Sequence, residues 1–399
     1  MAPVDLSDAR SFAKGFPQSF FRRLRREAPV WWHEPTRHTP GAVGFWVVSR
    51  YADVVTVLKE PEVFSSEVGG TQIFDGKGHG YQLNQTDDPK HRRLRALVNT
   101  GFLPGMIGRL EDQLREQMRS ILSEIDTRQP FDFVSAIARE LPLQAICMVL
   151  GVPMEDREEL GEIVDLAIGA GTGEALAIEH LKRLGAYADR IVEQKRNEPT
   201  DDILSVIVHA RSEDGGPQLD NRELRAFFAL LFPAGAETTR SAIAGGLVAL
   251  VHYPDQLRQL RADQSLMKGA VEEIVRWTSP SVYKRRTATR DVALSGTAIR
   301  RGDKVTVWEM SANRDEGEFS SPYRFDVRRK PNFHLGFGLG PHFCLGANLA
   351  RLEIRVALEE LMARYESFEV VGDFEWTNNN RLVGLTRVPL KVRLKPGPP

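Results

Sequence analysis

Residues Phe333–Glu353 read FHLGFGLGPHFCLGANLARLE, and this stretch organises the reading of the whole chain. Gly336, Gly338 and Gly340 fall at alternate positions, and Pro341 follows. Glycine tolerates positive φ, and proline fixes its own φ and has no N–H, so this half predicts an irregular loop. Beyond Gly346 the pattern changes. Leu349, Leu352, Val356 and Leu361 recur at roughly helical spacing among Arg351, Glu353, Arg355, Glu359 and Glu360, which predicts an amphipathic helix. Cys344 therefore stands at the end of a glycine loop, just before a helix N-terminus. Unpaired N–H groups and the helix dipole favour a thiolate there. Such a thiolate serves as a nucleophile, a redox centre or a metal ligand, and an inert buried cysteine fits about as well.

The surroundings narrow these options. A nucleophile wants a general base, and His342 is too close along the chain to be an easy one. The glycines do not fit GxGxxG, and RRKPN rather than a buried strand precedes them, which weakens a phosphate cradle. Ligation of haem iron fits better, since a thiolate in that place promotes O–O cleavage. FGLGPHFCLG resembles the haem-binding loop of the cytochromes P450, F-x-x-G-x-x-x-C-x-G, through Phe337, Gly340, Cys344 and Gly346. The following ANLARLE resembles bacterial members of that family.

Composition sets outer bounds. The chain has 399 residues, 42% hydrophobic and 27% charged, which is ordinary globular composition with length for a large core. Lys and Arg number 53 against 54 Asp and Glu, so no basic surplus points to nucleic acid. Two cysteines, Cys147 and Cys344, make no disulfide framework and suit a reducing compartment. The N-terminus shows no apolar core of signal-peptide length. The apolar run Leu224–Val251 is interrupted by Arg225, Glu237 and Arg240, which argues for a buried helix rather than a membrane span. A soluble, cytoplasmic chain without membrane anchor is expected.

Along the chain, Gly44–Arg50 predicts a strand followed by a helix, and Gly69–Gln85 a glycine-rich loop. Asp88 and Pro89 predict a helix start, with His91 and Arg95 on one face of that helix. On spacing alone a solvated basic face is the favoured reading. Residues 106–197 are mainly helical, with Cys147 in the core, a break at the glycines of Ile168–His180, and a cap at Thr200. Asn221–Leu260 predicts a helix through the core that carries Glu237, Thr238 and Thr239 at its middle, with Pro233 as a kink. Glu273 and Arg276 lie three apart on a further helix, where an ordinary surface ion pair also fits. Strands follow, with turns at Ser295–Gly296 and Arg301–Gly302, and Asn378–Thr386 forms a late turn.

The resemblance covers nearly the whole chain and implies one mainly α domain with a minor β region, residues 1–399, in the cytochrome P450 fold enclosing haem b. It implies that Cys344 ligates the iron, that His91, Arg95 and Arg286 meet the propionates, and that Phe337 and His342 flank the haem. AGAET matches the family's A/G-G-x-D/E-T motif, so Ala234 and Gly235 leave room for dioxygen while Thr238 and Glu237 handle protons. Glu273, Arg276 and Arg324 are the implied structural triad. Pocket candidates are Phe74, Tyr81, Phe228, Leu231, Phe232, Val282, Tyr283, Leu382 and Val383, which suit a hydrophobic substrate. The implied reaction is insertion of one oxygen atom of O2 into a polyketide or aromatic natural product (secondary metabolism), a terpenoid, or a steroid or lipid. Electrons would come from a separate ferredoxin with an NAD(P)H-dependent reductase, docking near Arg92, Arg93 and Arg351 on a monomer. A peroxide-dependent haem-thiolate enzyme and a non-catalytic haem sensor are the rivals.

Overall fold

A computed structural model describes residues 4–75, 80–169, 174–211, 216 and 218–396. Its axis is the expected apolar helix, Asn221–His252. A capping box starts it: the Asp220 carboxylate accepts from Glu223 N (2.8 Å), and the Glu223 carboxylate accepts from Asp220 N (3.2 Å). Pro233 lies inside the helix, which continues through it. The helix is apolar nearly all round because helices Glu140–Leu150, Glu174–Asn197, Met267–Thr278 and Ala347–Arg364 pack about it. Cys147 is fully buried in that core.

The β region is small. Strands Val30–His33, Phe45–Val48, Lys304–Val307, Lys284–Ala288 and Phe64–Ser65 lie in that order in one sheet. All its pairings are antiparallel except Phe45–Val48 with Lys304–Val307. The architecture is thus mainly α with a minor β part, as expected. The predicted break at Ile168–His180 falls between helices Arg157–Gly169 and Glu174–Asn197, with residues 170–173 outside the described residues. Residues 76–79 of the glycine-rich loop are likewise outside them. The cap expected at Thr200 is instead Asp202, whose carboxylate accepts from Ser205 N at 2.8 Å, while Thr200 Oγ1 donates to that same carboxylate.

The triad needs one correction. Glu273 and Arg276 are fully buried, with Arg276 Nε and Nη2 donating to the carboxylate at 2.7 and 2.8 Å. The third partner is Arg329, whose Nε lies 3.0 Å from Glu273 Oε2. Arg324 is exposed and contributes only its backbone carbonyl, to Arg276 and Arg329. The segment turns back after Phe325, so the later arginine reaches the acid.

This arrangement separates the two arginines experimentally. Glu273→Ala leaves two cations uncompensated and is expected to lower unfolding free energy by about 3–5 kcal/mol. Arg324→Ala is expected to stay within about 0.5 kcal/mol of wild type. Denaturant titration checks both, and equal losses would return Arg324 to the triad.

Candidate active site

Close approach builds the cysteine loop. Gly338 and Gly340 have φ of +71° and +74°, where a Cβ is strained. A Cβ on Gly340 would also strike the carbonyl oxygen of Leu58, in helix Tyr51–Lys59. Cys344 N donates to Phe337 O at 2.8 Å, and helix Ala347–Arg364 begins just beyond. The Arg351 guanidinium sits 4.5 Å over the Phe337 ring and bonds Glu272 at 2.6 Å.

Cys344 has accessible surface, yet protein surrounds it so densely that burial pushes its thiol up. A side chain with both properties lines an internal cleft. The Gly346 N–H and the charges of Lys284, Arg95 and Arg351 pull the other way. The expected thiolate-favouring groups are therefore present, and in the protein alone burial outweighs them. A metal cation on the sulfur would reverse that balance.

Cations gather beside the thiol. The rings of His91 and His342 lie 4.1 Å apart. Burial, then the charges of Arg286, His91, Arg95 and Lys284, push His342 down to about 2. Burial and then Arg95 lower His91, whose Nε2 is buried without a hydrogen-bond partner. Arg286 is buried and pulled down to about 10, bonding only the Arg285 carbonyl among the described residues. Burial also lowers Arg95, which has no carboxylate partner among the described residues. Arg95 and Arg286 are enclosed cations with no hydrogen-bonded carboxylate among the described residues, which is costly, so this cluster is complementary to an anion.

Lys284 belongs to the cluster and was not foreseen. Side chains alternate along a strand, so Lys284 and Arg286 share one face of Lys284–Ala288 and Arg285 takes the other. That alternation was the available signal. Lys284 pairs with the buried Glu309, whose carboxyl burial pushes up. Arg285 instead donates to Asp75 Oδ1 (2.5 Å) and to the carbonyls of Gly69 and Gln72, while Lys304 reaches Ile73 O and Asp75 Oδ2.

On the axial helix, Ala234 and Thr238 are four apart on one side. Ala234 is exposed in mid-helix, and Thr238 Oγ1 donates to its carbonyl at 3.0 Å. Gly235 does not leave open room: a Cβ there would lie 2.7 Å from Ile146 Cδ1. Glu237 faces neighbouring helices, accepting from Arg240 at 2.7 Å beside a cavity of about 10 Å³ that Arg139 and Asp165 also line. That space is on the order of one water molecule. Burial raises Glu237 to about 7, against the pull of Arg240.

The pocket candidates divide. Phe228 and Phe232 are fully buried, stacked on each other at 5.6 Å and on Tyr187 through Phe228, and so are core rather than lining. Val282, Tyr283 and Val383 are buried in another apolar cluster, and Leu231 is nearly so. Phe74, Tyr81 and Leu382 keep open surface. A Cβ on Gly384 would strike Ser241, seven residues beyond Ala234 and on the same stripe of the helix, so the segment 381–384 borders the cleft. The three arginines expected as a docking patch are paired internally, Arg92 with Asp88, Arg93 with Glu223 and Arg351 with Glu272.

The family model for cytochrome P450 matches residues 174–396. The chain belongs to the cytochrome P450 family. Cytochrome P450 126 of Mycobacterium tuberculosis is 49% identical over 406 residues, covering 98% of each chain. A methyl-branched lipid omega-hydroxylase of the same organism is 42% identical, covering 86% of this chain and 83% of its own. The Mycobacterium marinum cytochrome P450 CYP268A2, solved in complex with pseudoionone, superposes with a TM-score of 0.90 at 34% identity, over 98% of this chain and 99% of its own. The P450 cofactor is haem b, and the residues fit it: an accessible thiol lies inside the fold, and Arg95 and Arg286, enclosed without a bonded carboxylate among the described residues, suit its carboxylates. No helix among the described residues is long and apolar enough to cross a membrane.

Glu237 yields a pH prediction. Folded, it holds its proton to about pH 7, and unfolded it ionises near 4.5. Its contribution to stability is complete below 4.5 and is lost as pH rises through 7, because the unfolded state then binds fewer protons. The unfolding free energy of wild type relative to Glu237→Gln is expected to fall across that window. A difference independent of pH would mean that Glu237 titrates normally.

Proposed function

We propose that this cytochrome P450 monooxygenase hydroxylates a hydrophobic lipid or terpenoid, the whole chain acting as one catalytic domain, with electrons from a separate ferredoxin and NAD(P)H-dependent reductase. The observation that carries the site assignment is Cys344, accessible inside the fold and close to the charges of Lys284, Arg95 and Arg351. The substrate class is supported by the apolar surface of Phe74 and Leu382 and by the lipid named for the omega-hydroxylase relative.

Haem b bound through a cysteine thiolate supplies O–O bond cleavage. Cys344 would hold the iron. Arg95 and Arg286, with the His91–His342 pair, would orient the two haem carboxylates by charge-assisted hydrogen bonds, and Lys284, paired with Glu309, would add positive charge at that edge. Phe337 backs the loop. Ala234 leaves the helix surface open, and Thr238 holds a transferable proton at Oγ1. Glu237, titrating near neutrality, is suited to exchange protons with water in the cavity it shares with Arg139 and Asp165, one residue from Thr238 along the helix. Gly235 serves close helix packing. Phe74, Tyr81 and Leu382 exclude bulk water once substrate is in place.

Two variants test this. Cys344→Ser is expected to lose the red-shifted Soret band of the reduced carbon monoxide complex, and an unchanged spectrum would remove the assignment. Thr238→Ala is expected to bind substrate normally while NAD(P)H oxidation yields hydrogen peroxide in place of product. Equal product per NAD(P)H in wild type and variant would place proton delivery elsewhere. Product formed with peroxide alone, or no product under any donor, would favour a peroxide-dependent enzyme or a sensor.

A further inference from the structure

Arg381 is a cation that the monooxygenase reading leaves unused. It lies in the late turn, held firmly by its backbone. Its N–H donates to Asn379 Oδ1 at 2.8 Å, and its carbonyl accepts from Val282 N at 2.9 Å. Leu382 then forms a β-bridge with Ser281, and Val383 N donates to Pro280 O. The bonded segments 281–283 and 381–383 run side by side into Lys284, whose charge acts on Cys344, and Gly384 lies against Ser241 of the axial helix.

The guanidinium has nowhere to spend its charge. Its Nε is buried without a hydrogen-bond partner, and no hydrogen bond or ion pair satisfies its two terminal nitrogens among the described residues. The residue as a whole keeps partial exposure. Burial lowers its basicity, and the Tyr283 phenol pulls the other way. Partial accessibility with dense enclosure puts the guanidinium in a recess, beside Leu382, which keeps open surface. Other cations nearby are accounted for: Arg285 and Lys304 hold Asp75, and Lys284 holds Glu309. Arg381 also lies on a different segment, the late turn, from the helix and strand that carry Arg95, Lys284 and Arg286.

We infer that Arg381 binds a carboxylate on the substrate, so that the enzyme takes an apolar acid and presents its far, hydrocarbon end to Thr238 and Cys344. This rests on the monooxygenase reading and names the substrate class for that site. A guanidinium fork matches a carboxylate in two parallel hydrogen bonds. In an enclosed cleft such a bond discriminates strongly against an ester or alcohol of the same skeleton, which leaves the arginine unpaired.

The test uses the haem-loaded full chain and matched probes: dodecanoic acid with its methyl ester and dodecan-1-ol, farnesoic acid with its methyl ester and farnesol, and 3-oxochol-4-enoic acid with its methyl ester. Dissociation constants come from calorimetry and from the absorption change on binding. At least one acid is expected to bind wild type about tenfold to a hundredfold more tightly than its ester, the range for a hydrogen bond to a charged group. Arg381→Gln is expected to abolish that preference while leaving ester binding unchanged, and Arg381→Lys to restore part of it. In wild type alone, acid binding should weaken as pH falls through the ligand's own carboxyl pKa. If no acid is preferred, or if Arg381→Gln keeps the preference, the inference is overturned. Loss of the thiolate-type carbon monoxide band in wild type would instead overturn the monooxygenase reading.

Discussion

The buried carboxylate of Glu273 is the constraint on which the active-site half of the chain depends. It accepts from Arg276, from Arg329, from the Asp326 N–H and from the Asn332 side chain. Arg276 also donates to the carbonyls of Asn313 and Pro322. Asn313 passes the connection on: its side chain donates to Ser279 Oγ and accepts from Leu335 N at 2.7 Å. An irregular segment of about twenty residues is thereby tied to one helix at both ends, and its exit is the start of the cysteine loop. A buried ion pair is weak evidence for stability and better understood as a device that specifies geometry. Here the geometry specified is the path of chain into Cys344.

A second division of labour comes from strand alternation. Lys284 and Arg286 point to the cleft, and Arg285 points to the segment Gly69–Asp75. One short strand thus turns one face to the cationic cluster beside Cys344 and the other to the segment Gly69–Asp75. The register with Lys304–Val307 holds this assignment, since a slip of one residue would exchange the two sets.

The sequence carried the loop, the axial helix and the small sheet clearly, because each rests on a local pattern: positive-φ glycines, apolar periodicity, alternation. Motifs pointed to Cys344, His91, Arg95 and Arg286, which the structure brings near one another. Arg329 was not, since which of two arginines five apart meets Glu273 depends on how an irregular segment turns. Phe228 and Phe232 looked like lining because the helix is apolar all round, and the sequence does not tell which side a neighbour covers. Gly235 was misjudged likewise, its small size serving Ile146. Arg381 sits in a polar turn where an arginine ordinarily reaches solvent, and only the enclosing strands reveal its isolation.

The contact between Gly340 and Leu58 bears on the order in which the protein assembles. Tyr51 Oη likewise donates to Phe333 O, 282 residues along the chain. The N-terminal helix that abuts the cysteine loop is synthesised long before its counterpart leaves the ribosome. His91 and Arg95 wait as long for His342. Contacts so distant in sequence close late, because chain entropy must be overcome before they stabilise anything. The cationic edge of the cleft is therefore complete only once the cysteine loop has docked, since His91 has no His342 ring beside it before then.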